Sequence, residues 1–279
     1  MQISAKIAGI QVGDSSPVRI MGIINLSPES FYTGSVYTKM NEIVIQAKEM
    51  VKQGCDILDI GGRSTAPGVD PISVKVEKER VLPVLKSLLD EISIPISVDT
   101  QYAEVAQEAL KFGCHIINDV SGLRTDPKVV EVIKEYDCPL IIMATDKVPG
   151  DRLRISDIMD ALAKSISFAT TNGVNPNRLI VDPGIGRWVS SKTYEYNLQI
   201  INRLQQLRDH GKPILVGISR KSFIGDILQK SQPADRLMGS LAATAIAVYN
   251  GAHIIRTHDV GATCDIVKIS QTLRNAAHE

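Results

Sequence analysis

The sequence predicts an α/β protein of the (β/α)8 TIM-barrel class, and three observations support this prediction. Short apolar runs of the kind that form buried parallel strands recur eight times along the chain. Amphipathic segments of helical period separate most of these runs. The pattern occupies 279 residues, a length at which single barrel domains are common. A doubly wound open sheet is the alternative fold, because it uses the same alternation of strands and helices.

The eight predicted strands follow one another along the whole chain. The segment between the first two shows the helical pattern well, with apolar side chains spaced to share one helix face at Met40, Ile43, Ala47 and Val51. The strands are predicted at 18–25, 56–62, 95–100, 115–120, 139–145, 178–184, 213–219 and 253–259.

One short pattern occurs three times, at 54–59, 113–118 and 251–256. Each copy opens with a glycine that we predict to be the left-handed cap of a helix, and an apolar pair follows as part of a buried strand. Each copy ends in a polar residue, which is Asp59, Asn118 or Arg256. A polar group at the end of a buried strand is tolerated where it is paired or meets a ligand. The three residues are therefore predicted to converge on one site.

Composition excludes several classes of protein. Lys plus Arg number 31, as do Asp plus Glu, so the charge balance predicts no attraction to nucleic acid or to an anionic membrane. The first residues lack the apolar core of a signal peptide, and no uncharged apolar stretch is long enough to span a bilayer. We predict one cytoplasmic domain over residues 1–279. The four cysteines lack metal-site spacing and are predicted to be small buried apolar side chains.

Polar residues at the predicted strand ends divide into two groups by chemistry. One group combines donors and acceptors that suit a planar heterocycle with ring N–H, amino and carbonyl groups. The second suits an anion, since Arg offers a planar fork, His adds a donor, and an Asn oxygen can join a hydrated Mg²⁺ that bridges phosphates. The role of Asp59 stays open between bracing the following loop and contacting a ligand. The first group is Asp99, Asn118, Asp182 and Lys221, and the second is Asn25, Arg256 and His258.

Several segments together resemble the dihydropteroate synthases. The most specific are SRKSFIG at 219–225 and RTHDV at 256–260, and they are accompanied by MGIINLSPESF at 21–31, GCDILDIGGRSTAPG at 54–68 and DPGIG at 182–186. The resemblance runs in order over nearly the whole chain. It implies a (β/α)8 barrel that joins 6-hydroxymethyl-7,8-dihydropterin pyrophosphate to 4-aminobenzoate with release of pyrophosphate.

The resemblance also implies roles for particular residues. Mg²⁺ would be the cofactor, with Asn25 as its protein ligand, and the protein would be a homodimer. The residues implied to act in the reaction are Asn25, Asp99, Lys221, Arg256 and His258. Those implied to bind substrate are Asn25, Ser64, Thr65, Asp99, Asn118, Asp182, Lys221, Arg256 and His258. Arg187, which departs from the family pattern, is also predicted to bind substrate.

Departures from the family pattern cluster in the loops that shape the arylamine side. Thr33 replaces a carboxylate, Ala66 replaces an arginine, and arginines are added at Arg63 and Arg187. We hypothesise that the arylamine is larger than 4-aminobenzoate, for example one that carries a ribosyl phosphate, because added cations suit a phosphate. Surface ion pairing is the other explanation for both arginines. A pterin-dependent corrinoid methyltransferase and a noncatalytic pterin-binding protein are the alternative functions.

Overall fold

The computed structural model describes residues 2–26, 36–63 and 72–276. Strands and helices alternate along these segments after an initial hairpin. The strands are β1 (Ser4–Ile7), β2 (Ile10–Gly13), β3 (Arg19–Asn25), β4 (Ile57–Gly61), β5 (Ile96–Asp99), β6 (Ile116–Asp119), β7 (Leu140–Met143), β8 (Leu179–Asp182), β9 (Leu215–Gly217) and β10 (Ile254–Thr257). The helices are α1 (Val36–Lys52), α2 (Val74–Glu91), α3 (Ala103–Phe112), α4 (Val129–Tyr136), α5 (Ile155–Thr171), α6 (Tyr194–Asn202), α7 (Ser222–Leu228), α8 (Leu237–Tyr249) and α9 (Val260–Ala276).

Strands β3 to β10 form a closed parallel barrel. Their order is β8-β7-β6-β5-β4-β3-β10-β9, and a parallel bridge between Val181 and Ile214 joins the two ends of this sheet. The amide of Val181 donates to the carbonyl oxygen of Pro213 at 2.9 Å across the same seam. The predicted barrel is thereby confirmed, the open-sheet alternative is excluded, and all eight barrel strands lie within the predicted segments.

The three repeated glycines have the predicted backbone conformation. Gly54, Gly113 and Gly251 have φ values of +101°, +106° and +101°, a region that an L side chain rarely adopts. Gly113 caps α3, and its amide donates to carbonyl oxygens in the last turn of that helix. Each glycine lets the chain reverse from a helix into a buried strand, which places the next polar residue at the same end of the barrel.

The inside of the barrel is apolar at the end where the strands begin and polar at the end where they finish. Ile57, Ile116, Ile180 and Ile254 belong to one buried apolar cluster, which the β1–β2 hairpin joins through Ala5, Ile7 and Val12. Alternate residues of a strand face the same side, so the residue two positions after each isoleucine also faces inward. Those positions hold Asp59, Asn118, Asp182 and Arg256.

The hairpin was not among the predicted strands. Its register pairs Ser4 with Gly13 and Ile7 with Ile10 in antiparallel order. Both strands have only four residues, which is too short for a clear period-two signal. In the part of the chain that the structure describes, no helix is long and apolar enough to cross a membrane.

Candidate active site

The three strand-end residues of the repeated pattern meet inside the barrel. Asp59 has no exposed surface, and its Oδ2 accepts from Arg256 Nε at 2.6 Å and from Asn118 Nδ2 at 3.2 Å. The predicted convergence is therefore observed, and it joins strands β4, β6 and β10. Asp59 lies inside the barrel, away from the surface. It holds two of the residues that the sequence assigned to ligand binding.

Asp99 shares the same guanidinium group. Its Oδ2 accepts from Arg256 Nη2 at 3.2 Å, so one arginine faces two carboxylates. Burial raises the pKa of Asp99 to about 7; Arg256 opposes this rise, and the nearby charge of Asp59 adds to it. In the described part of the chain, Asp59 Oδ1 has no hydrogen-bond partner although it is buried. The floor of the site thus carries more acceptor capacity than its own donors satisfy.

Asp182 and Lys221 lie beside each other at the ends of β8 and β9. Burial raises the pKa of Asp182 and the charge of Lys221 opposes the rise, while burial lowers the pKa of Lys221 to about 8 and Asp182 opposes the fall. Lys221 Nζ donates to the carbonyl oxygen of Ile185 and lies 5.1 Å from the centroid of the Trp188 ring. A carboxylate and an ammonium group are therefore held close together without direct pairing.

Asn25 and His258 are exposed and lie next to each other at the rim. Asn25 Nδ2 is 3.3 Å from His258 Nε2, and the hydroxyl of Ser219 is 3.0 Å from His258 Nδ1. The amide donates to Nε2, which leaves the proton on Nδ1, so the imidazole is neutral. Partial burial and the charge of Arg256 lower the pKa of His258 to about 4, in agreement with this assignment.

A cavity of about 520 Å³ is lined by Ser219, Lys221, Arg256 and His258 from among these groups. It opens at the carboxyl ends of the strands, which is the end where active sites of (β/α)8 enzymes are found. Arg256 and Lys221 reach it from inside the barrel, and His258 and Ser219 reach it from the rim. The cavity therefore has cationic and neutral donors on one wall, as an anionic substrate group requires.

Arg220 has a structural role in the turn after β9. Its guanidinium group pairs with both carboxylate oxygens of Asp259 at 2.8 and 2.5 Å. The backbone of Arg220 is left-handed, with a φ of +56°, and its amide is fixed by the hydroxyl of Ser240 at 2.8 Å. This pair holds the turn after β9 against the turn after β10, and Lys221 and His258 lie on those two turns.

The two added arginines both have partners. Arg63 Nη2 donates to the hydroxyl oxygen of Tyr102 at 2.8 Å, and the Arg63 guanidinium carbon lies 5.0 Å from the centroid of that ring. Arg187 is about half exposed and lies 3.4 Å from a carboxylate oxygen of Asp226. The predicted substrate-binding residues Ser64 and Thr65 lie outside the described residues, as do the altered positions Thr33 and Ala66.

Sequence reasoning gave no separate role to two contributors to the site. Ser219, which lies in the segment at 219–225, is 3.0 Å from the His258 ring, and Trp188 packs over Lys221. Asp59 was predictable, since its place two residues after Ile57 puts it on the inner face of β4.

A closed parallel barrel, with a buried carboxylate and amide layer and a cationic mouth, defines the class of the protein as a (β/α)8 enzyme for a polar heterocycle bearing an anion. Comparison with known proteins identifies the family. Residues 21–258 match the pterin binding enzyme family. A dihydropteroate synthase from Synechocystis is 39% identical over 261 residues, which cover 91% of this chain and 89% of the relative.

Solved structures agree with this relationship. A dihydropteroate synthase from Clostridium difficile, determined in the presence of pteroic acid, is 40% identical with a TM-score of 0.85 and covers 92% of this chain and 97% of its own. The Xanthomonas albilineans enzyme with 4-aminobenzoic acid is 33% identical with a TM-score of 0.86 and covers 98% and 99%. This chain belongs to the dihydropteroate synthase family of pterin-binding enzymes.

Proposed function

We propose that this protein condenses 6-hydroxymethyl-7,8-dihydropterin pyrophosphate with 4-aminobenzoate and releases pyrophosphate. The observation that carries the proposal is the position of Arg256, whose guanidinium group contacts the buried carboxylate of Asp59 and the partly buried one of Asp99 and also lines the cavity at the mouth. In a ligand that carries both groups, the polar heterocycle would face the carboxylates and the phosphate chain would lie in the cavity at the mouth. The pteroic acid and 4-aminobenzoic acid complexes of the related enzymes support this choice of substrates.

The heterocycle is recognised by the inner layer of the barrel. Asp99 and Asp182 accept hydrogen bonds from ring N–H and amino groups, while Asn118 and Lys221 donate to ring acceptors. Asp59 is buried below them and orients Asn118 and Arg256. Negative charge near the pterin favours the positive character that develops on its methylene carbon as the C–O bond breaks.

The departing pyrophosphate is stabilised at the rim. Arg256 binds phosphate oxygens through its planar fork, and the neutral His258 donates to them after rotation away from Ser219. Because bond breaking runs ahead of attack, the arylamine needs no strong base and the site needs no protein nucleophile. The residues hold the two substrates in line and exclude water from the reacting carbon.

A magnesium ion fits the donor set at the rim. In the described parts of the chain, no three His, Cys, Asp or Glu side chains are grouped to hold a metal by themselves. Mg²⁺ keeps several waters and takes few protein ligands beside substrate phosphates, so the single neutral oxygen of Asn25 is sufficient. Bound there, the ion would neutralise charge on the pyrophosphate.

The choice of arylamine follows from the added arginines. Arg63 is already engaged by Tyr102, and together with Arg80 it opposes the rise in the pKa of Glu77 that burial causes. Arg63 thus interacts with Tyr102 and with the charge of the buried Glu77, and this structural role weakens the case for a second substrate carrying a phosphate. Plain 4-aminobenzoate is therefore the arylamine we propose.

The test is a coupled assay with purified protein, the dihydropterin pyrophosphate and Mg²⁺. Either 4-aminobenzoate or its ribosyl-phosphate analogue is added, and pyrophosphate release and product mass are followed. We expect coupling to 4-aminobenzoate. Coupling to the analogue alone would establish the larger arylamine, and methyl transfer from a methylated pterin to a corrinoid would establish the methyltransferase. Pterin binding without any turnover would leave a binding protein.

We also propose that the enzyme is a homodimer in the cytoplasm. Adjacent helices α8 and α9 present exposed apolar side chains, of which Met238 is 72% and Ile269 is 63% exposed. Ile246, Tyr249 and Leu273 extend this patch, and α8 is apolar on nearly all sides. A second copy of the chain would bury such a patch. Light scattering on wild type and M238K would test this: we expect a dimer that the added charge splits into monomers.

A further inference from the structure

Among the residues that the structure describes, Lys192 is the largest side chain that is completely buried. Its Nζ donates to the carbonyl oxygen of Gly184 at 2.7 Å and to that of Gly150 at 3.1 Å. A buried amine is costly unless its donors are satisfied, so the two carbonyl groups are the reason this side chain is tolerated. Neither the sequence nor the proposed reaction assigned it a role.

The first carbonyl group belongs to the turn that carries the pterin carboxylate. The amide of Gly184 donates to Asp182 Oδ1 at 2.7 Å, so Asp182 binds the amide of the glycine whose carbonyl oxygen binds Lys192. The carbonyl oxygen of Ile185 accepts from Lys221, and the amide of Gly186 donates to Asn197 Oδ1 at 2.6 Å. Three consecutive residues of this turn are therefore each held by a side chain.

The second carbonyl group belongs to the loop after β7. Gly150 has a φ of +67°, and a Cβ atom there would meet the Trp188 ring at 2.2 Å, so the indole packs directly on this glycine. The same ring lies over Lys221. Lys192 thus connects the loop after β7 to the turn after β8, and the Trp188 ring packs against this junction at Gly150.

We propose that Lys192 is a positioning residue, which fastens these two loops and thereby sets the positions of Asp182 and Lys221 for the pterin. The inference rests on the proposed function, because Lys192 would hold in place the residues proposed to bind the pterin. Burial lowers the pKa of Lys192 to about 7, and the charge of Lys221 acts in the same direction. A neutral amine still donates two hydrogen bonds, which matches the two carbonyl acceptors.

The test compares K192M with wild type, and K212M is the matched control. Lys212 also donates to a main-chain carbonyl oxygen, that of Pro176 at 2.7 Å, but at the opposite end of the barrel. The dissociation constant for the dihydropterin pyrophosphate is measured by calorimetry without arylamine. Trp188 is the only tryptophan of the chain, so its emission reports on the junction independently of turnover.

We expect K192M to weaken pterin binding about tenfold or more and to shift Trp188 emission to longer wavelength, since small misplacements of binding groups have effects of this size. K212M should change neither. A lower melting temperature with unchanged pterin binding and emission would show a purely structural lysine and overturn the inference.

Two further outcomes keep the test decisive. If K192M does not fold, K192Q replaces it, because its amide keeps a donor, and it should weaken pterin binding by a smaller factor. Unchanged binding in K192Q would also overturn the inference. Wild-type protein that binds no pterin would instead reject the proposed function, so the two failures are distinguishable.

Discussion

Two clusters of Asp, Arg and His lie at opposite ends of strand β10, and they differ in how completely their carboxylates are satisfied. His253 precedes the strand, next to Asp14 and Arg208, whereas Arg256 and His258 lie at its other end. Both clusters are built from the same residue types. Only the second lines the proposed catalytic cavity.

At the base of the barrel, both carboxylate oxygens of Asp14 accept hydrogen bonds. Asp14 accepts two hydrogen bonds from Arg208 at 2.6 and 2.9 Å, one from the amide of Ile3 at 2.8 Å and one from His253 at 3.1 Å. Although burial acts to raise it, these donors hold the pKa of Asp14 well below its usual range. The cluster fastens the hairpin to the barrel.

At the mouth, one arginine serves two carboxylates and the pKa of Asp99 is raised. A saturated cluster stabilises the fold, while one with excess acceptors is prepared for a ligand. Residue type therefore does not distinguish the structural cluster from the functional one. The two clusters differ in how many carboxylate lone pairs accept hydrogen bonds.

The largest expected effect is at the mouth. D99N keeps the shape of the side chain but removes the charge that favours the developing cation, so kcat/KM should fall about 10²–10³-fold. The free energy of unfolding should stay equal or rise, because the cost of burying the Asp99 charge and its repulsion from Asp59 outweigh its attraction to Arg256. Steady-state kinetics and urea unfolding measure both. A variant that loses stability in proportion to activity would contradict the comparison.

At the base, we expect a loss of stability with little loss of activity. D14N should lower the free energy of unfolding by about 2 kcal/mol, since charge-assisted hydrogen bonds from Arg208 are lost. Activity at a temperature where the variant is folded should stay within about twofold of wild type. The matched control is D137N, whose partner Arg178 lies 2.6 Å away but whose side chain is 56% exposed, so its stability should change little.

Only some of the contacts in these two clusters could be predicted from the sequence. Strand positions and the meeting of Asp59, Asn118 and Arg256 were predictable, because they depend on period-two alternation and on glycine caps that are local in sequence. The partners of Asp14 and Lys192 were not, because they depend on which distant loops pack together. Arg63 shows the same limit, since its contact with Tyr102 depends on the pairing of β4 with β5, which brings together the residues that follow these two strands.

The pH dependence of stability should have opposite signs at the two ends. Asp14 has a lowered pKa, so its contribution is present above the unfolded value of about 4 and is lost as pH falls. His253 also has a lowered pKa, so its protonation adds to acid destabilisation below about pH 6.5. Asp99 has a raised pKa, so the folded state keeps a proton that the unfolded state releases, and stability falls between about pH 4 and 7.

Urea unfolding of wild type, D14N and D99N across this range separates the contributions. The advantage of D99N over wild type should grow from pH 4 to pH 7, while the deficit of D14N should shrink below about pH 4. If the differences in free energy of unfolding between the variants and wild type stay constant with pH, neither Asp14 nor Asp99 has the shifted pKa on which this prediction depends.

The smallest effect is expected at Arg187, which lies on the exposed rim outside both clusters. Its contact with Asp226 is long, at 3.4 Å, and both side chains are more than one-third exposed, so R187A should change the free energy of unfolding by less than about 0.5 kcal/mol. With 4-aminobenzoate, KM should stay within about twofold, because this arylamine carries no phosphate for the guanidinium to bind. Steady-state assays with 4-aminobenzoate and its ribosyl-phosphate analogue provide the measurement. A selective loss of activity toward the analogue would extend the functional surface from the mouth to the rim and restore the larger arylamine as the substrate.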